Sequence, residues 1–110
     1  PIENLFLSGS FKYATIRAQS RKKYLSEFPA FCVICNYSHH IEVAHIKGIS
    51  KFEPTKPLRA VNDILNLAGL CKNCHWELDH GIIDKDYVKE KMINMINSMV
   101  PAEGIEPTKS

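Results

Sequence analysis

"CKNCHWELDHGIID", Cys71 to Asp84, decides how this chain is read. Its two cysteines, three positions apart, are half of a zinc site. His75 follows the second cysteine directly, and Asp79 sits four residues further on. If the stretch is helical, His75 and Asp79 share one face. Either one metal site has spare polar neighbours here, or two sites with different tasks stand side by side.

The other half of the zinc site lies upstream in "CVIC", at Cys32 and Cys35. An even number of cysteines also allows disulfides or redox pairs. Two C-x-x-C pairs at a domain-scale separation fit tetrahedral zinc better, because each short spacing lets both thiolates of one turn reach the same ion. Thiolates kept for zinc imply a reducing compartment, so a cytoplasmic location is expected.

With four sulfurs on one zinc, the nearby polar residues have no structural metal to serve. His75 and Asp79 then form half a site for a harder divalent ion, with water or phosphate completing the shell. A plain hydrogen bond along a helix is the alternative. His80 falls off that face and reads as a surface or helix C-terminal histidine. His45, in "IEVAHIKGI", reads as a half-buried strand histidine, and Asn66 as a turn former.

The rest of the chain places these residues. Residues 1–10 read as a linker. A helix is expected over residues 11–28, capped by Ser10, with Tyr13, Ile16, Tyr24 and Leu25 as its apolar stripe and Pro29 as its stop. The first cysteine turn follows. A strand is expected from Ile41, with Val43 and His45 on one face and Glu42, Ala44 and Ile46 on the other. Residues 50–63, with two prolines and mixed charge, read as a loop. "ILNLAGLC" is a second strand, able to return antiparallel to the first. "KNCHWELDHG" is a short helix ended by Gly81, and "IID" a brief extended piece.

A last helix is expected over residues 85–100, its stripe made by Val88, Met92, Met95, Ile96 and Met99. That stripe covers the domain's own core or, alternatively, forms a homodimer interface. Residues 101–110 read as a loose tail. The folded unit is therefore a small α+β domain over residues 11–100.

The 110 residues suit a single modest core, and 45% apolar with 24% charged residues is an ordinary globular composition. No apolar run is long enough for a membrane helix. The chain starts at Pro1, which suggests a domain excised from the C-terminal part of a longer protein. The net charge of +2 does not by itself indicate a polyanion. The cations Lys12, Arg17, Arg21, Lys22 and Lys23, however, gather before residue 31 against only Glu3 and Glu27.

Taken in order, "CVIC", "EVAHIKGI", "LNLAGLCKNCH" and "HWELDHGII" resemble the HNH endonucleases of the ββα-metal (His-Me finger) superfamily, in the branch often found in restriction enzymes. The resemblance covers about residues 30–84. It implies a ββα core with a structural four-cysteine zinc, flanked by an N-terminal and a C-terminal helix. It implies His45 as general base, Asn66 as the residue that ties the connecting loop and helps orient His45, and His75 as ligand of a catalytic Mg2+, Mn2+ or other divalent ion. Asp79 stands where many relatives place a second ligand.

Many members carry Asp or His directly before the base; here Ala44 stands there and cannot bind an ion. Lys47-Gly48 replace a common proline. DNA is the expected partner, with Arg17, Arg21, Lys22, Lys23, Lys47, Lys51 and Lys72 as candidate phosphate contacts. No base-reading device is visible, so a recognition domain is expected N-terminal to Pro1. A non-catalytic zinc module that binds DNA or protein is the rival expectation.

Overall fold

The computed structural model of the chain describes residues 13–99. The expected linker, the Ser10 cap and the expected tail lie outside the described residues. Helix α1 (Tyr13–Glu27) is followed by the first cysteine turn and strand β1 (Glu42–His45). A long connection contains a 3₁₀ turn (Ile49–Lys51) and the short helix α2 (Leu58–Val61). A second 3₁₀ turn (Ile64–Asn66) leads into β2 (Leu67–Leu70), then α3 (Lys72–Asp79) and α4 (Lys85–Met99).

The two strands pair antiparallel, with Glu42 opposite Leu70 and His45 opposite Leu67. Hairpin and α3 make the ββα unit, with α1 and α4 around it. The architecture is the expected α+β ββα-metal fold. Both strands are four residues long, shorter than the patterns "IEVAHIKGI" and "ILNLAGLC" suggest. Asp63 shortens the second by starting the 3₁₀ turn: its carboxylate accepts from Leu65 N–H at 2.9 Å. The expected loop over 50–63 gains α2, whose start at Leu58 follows Pro57 in extended conformation. "IID" forms bends rather than an extended piece.

The periodicity of α1 puts Ile16, Ser20 and Tyr24 on its buried face, while Tyr13 is left exposed. Tyr24 is the largest fully buried side chain among the described residues. Its hydroxyl meets Met92 Sδ of α4 at 3.5 Å, and its ring stacks at a tilt on Phe28. Gly69 of β2 gives it room. A Cβ there would sit 3.0 Å from Tyr24 Oη and 3.1 Å from the Phe31 carbonyl oxygen. Val88 and Met92 of α4 are buried in the same core, with Met95 and Ile96 packed against it, and Met99 is exposed.

A second, smaller cluster joins Ile16 of α1 to Ile49, Leu58 and Val61 of the strand connection. It fastens the start of α1 to the loop beside His45.

Helix α3 ends as its sequence suggests. Gly81 has φ 74°, and the N–H groups of Gly81 and Ile82 return to the carbonyls of Leu78 (3.2 Å) and Glu77 (2.8 Å). This is a Schellman ending, which a left-handed glycine allows at no steric cost.

Gly69→Ala is expected to destabilise the fold by about 1–3 kcal/mol, since the Phe31 carbonyl cannot move aside as a side-chain end can. Urea unfolding monitored by circular dichroism measures this.

Candidate metal centre and nuclease site

The first cysteine turn is a tight knuckle. Cys32 N–H donates to the Tyr37 carbonyl at 2.7 Å, and Asn36 N–H to the Cys32 carbonyl at 2.8 Å. Asn36 takes φ 68°, a conformation asparagine tolerates. Val33 N–H donates to the Gly69 carbonyl at 3.0 Å, which sets the knuckle against β2. Cys71 caps α3 through its sulfur, which accepts from Cys74 N–H at 3.4 Å.

The Sγ atoms of Cys32, Cys35, Cys71 and Cys74 all lie within 4.8 Å of one another. Cys35 Sγ and Cys71 Sγ are 3.7 Å apart. A tetrahedral zinc–thiolate site with bonds of about 2.3 Å has an edge of about 3.8 Å, so the four sulfurs fit a zinc ion.

The metal-free thiols differ. Burial pushes Cys32 up, but N–H groups of Cys35, Cys71 and Ile34 outweigh it and bring it down to about 7. Burial and neighbouring sulfurs push Cys74 up. Four thiolates this close repel one another unless a cation holds them, and zinc is the cation this donor set suits.

One turn along α3, His75 leaves the zinc cluster and faces a cleft of about 530 Å³. His45, Glu42, Asp79, Arg17 and Arg21 line the same cleft. His75 Nδ1–H donates to Glu42 Oε1 at 2.7 Å. The other ring nitrogen, Nε2, is thereby the bare one. It lies 3.6 Å from Asp79 Oδ2, and Asp79 is 61% exposed. Nε2 and Oδ2 are close enough to share one ion, and two protein ligands leave most of an octahedral shell to water and phosphate.

Glu42 is a residue that the sequence reading overlooks. It lies on the strand face of Ala44, where relatives carry a ligand, and that shared face was the available signal.

His45 Nε2–H donates to Asn62 Oδ1 at 2.6 Å. Burial pushes the His45 pKa below its ordinary value; the Asn62 bond works against this, while the nearby charges of Arg17 and His75 add to it. Asn66 does not touch the ring. Its Oδ1 accepts from Lys47 N–H at 2.7 Å, and its Nδ2 donates to the carbonyls of Val61 (2.9 Å) and Lys47 (3.2 Å). Asn66 clips the start of the strand connection to the end of α2, and Asn62 holds the imidazole. The loop-tying role expected of Asn66 has a geometric basis, and the side chain hydrogen-bonded to the His45 ring is that of Asn62.

Of the candidate phosphate contacts, Arg17 and Arg21 line the cleft. Arg21 also donates from Nη1 to the Ile41 carbonyl at 2.8 Å. Lys51 lines an adjoining depression with His45, Asp79 and Lys85. Lys47 Nζ lies 4.6 Å from the Phe52 ring centroid. Lys72 faces a groove beside Cys35 and Cys71, and Lys22 and Lys23 do not line the cleft. His80 is exposed, stacked on Trp76 with centroids 3.9 Å apart, and donates from Nδ1 to the Trp76 carbonyl.

Two outcomes follow. Chelation of zinc is expected to unfold the domain, because a structural zinc contributes on the order of 10 kcal/mol; circular dichroism with and without chelator checks it. In the zinc-loaded chain, an NMR titration is expected to place the His45 midpoint below about 6.5. The folded chain then binds that proton less readily than the unfolded chain. The His45 contribution to stability is thus present above about pH 6.5 and lost on acidification through the folded midpoint.

Comparison of the chain with curated proteins and with solved structures gives no match. Residues 32–83 match the family model described as HNH endonuclease, a span that runs from the first zinc cysteine to just beyond the end of α3. With the hairpin, the helix and the four-sulfur cluster in place, residues 32–83 of this chain are an HNH endonuclease domain.

Proposed function

We propose that the chain is a metal-dependent DNA endonuclease in which His45 is the general base and His75 and Asp79 hold the catalytic ion. The observation that carries this reading is the convergence of His45, His75, Asp79 and two arginines on one cleft. Phosphodiester hydrolysis needs a base for water, neutralisation of charge on the phosphate and help for the leaving 3′-oxygen. A Mg2+ or Mn2+ ion, when bound, supplies the last two.

The chain's own residues do the rest. His45, neutral at pH 7, takes a proton from the attacking water. His75 presents Nε2 to the ion because Glu42 holds Nδ1–H. Arg17 and Arg21 face the cleft as positive charge for the DNA backbone, and Lys51 extends that charge on the adjoining side. The setting we propose is a restriction-type protein in cytoplasm, in which a separate unit reads the DNA.

His45→Ala is expected to slow plasmid cleavage by about 10²–10⁴-fold while leaving DNA affinity largely intact. The assay is supercoiled plasmid with and without added Mg2+ or Mn2+. A zinc-loaded, folded chain that binds DNA but cuts it with neither ion would instead be a non-catalytic zinc module.

A further inference from the structure

Asn62 is 2% exposed, one of two buried polar residues among the described residues. It follows Val61 of the small apolar cluster formed with Ile16, Ile49 and Leu58. A buried amide in such surroundings is costly unless its groups are hydrogen-bonded. Both ends of this one are. Nδ2 donates to the Ile16 carbonyl of α1 at 3.2 Å, and Oδ1 accepts from His45 Nε2 at 2.6 Å.

The direction of this chain of bonds is forced. A backbone carbonyl only accepts, so the amide nitrogen must face Ile16 and the oxygen must face the ring. An oxygen that only accepts requires the proton on His45 Nε2. Nδ1 is then the basic nitrogen of the neutral ring. The hydrogen-bonding state of the imidazole is therefore set by a backbone group of α1, a helix that lies outside the matched residues 32–83.

We propose that Asn62 is the positioning residue of the general base: with the Ile16 carbonyl behind it, it selects the His45 tautomer that leaves Nδ1 free to take the proton from water. The proposal rests on the reading of His45 as base. It separates two asparagines that lie four residues apart, since Asn66 clips the loop through Lys47 and Val61 and leaves the ring alone.

The test has one readout that needs no cleavage. In the zinc-loaded chain without other divalent ions, long-range 1H–15N correlation at His45 should show a single Nε2–H tautomer. Asn62→Ala should mix the tautomers and lower kcat on plasmid DNA on the order of 10–100-fold, with KM and zinc content unchanged. Asn62→Asp keeps an oxygen against Nε2 while giving up the bond to Ile16; it should retain the single Nε2–H tautomer, while its negative charge holds the ring proton and keeps the rate below that of the unsubstituted chain.

An Nδ1–H tautomer in the unsubstituted chain overturns the proposal, as does Asn62→Ala with unaltered tautomer and rate. If neither variant folds, the spectrum of the unsubstituted chain decides. A chain that cuts no DNA yet shows the Nε2–H ring overturns the nuclease reading and the base role, while the Asn62 relay stands.

Discussion

The four sulfurs govern where everything else can sit. Cys32 and Cys35 precede the hairpin, and Cys71 and Cys74 follow it. One ion joined to all four closes the hairpin onto the first turn of α3. The core here is small, built from single side chains such as Tyr24, Leu67 and Leu70 packed between short elements. Because His75 is the residue after Cys74, the ligand that fixes the helix start also aims the imidazole at the cleft. The four-sulfur cluster thus sets the direction of the histidine beside it.

The two imidazoles are held alike but with opposite polarity. Glu42 takes the proton on Nδ1 of His75, and Asn62 takes the proton on Nε2 of His45. The choice of partner suits the role proposed for each ring. A carboxylate behind a ring favours donation to a cation on the far nitrogen. A neutral amide orients a ring without adding a negative charge that would hold its proton. His45 keeps a depressed pKa while being anchored, which suits the base role proposed for it.

The cysteine pairs, the hairpin and the glycine ending of α3 were legible because each is local in sequence. C-x-x-C spacing, alternation and a glycine after an amphipathic run depend on residues a few positions apart. Glu42 was half legible: its strand face was readable, but its partner lies 33 residues away. Asn62 was not legible at all. It lies in a stretch whose prolines and charges read as a loop, and the groups that satisfy its buried amide, the Ile16 carbonyl and the His45 ring, lie far away in sequence. The stripe of α1 was misread in part, because Ser20 takes a buried place by bonding the Arg17 carbonyl at 2.8 Å, while Tyr13 turns outward.

The clip at Asn66 makes the domain unequal in its tolerance of length. Lys47, at the start of the strand connection, and Val61, at the end of α2, are both tied to this one side chain. Extra residues near its exposed middle, around Glu53 to Thr55, would lengthen a loop whose mouth stays shut, and closure entropy grows only slowly with size. A single residue inserted between Cys74 and His75 would turn the imidazole by about 100° around α3 and carry it out of the cleft. Related chains can therefore drift in the first place and hold strict register in the second.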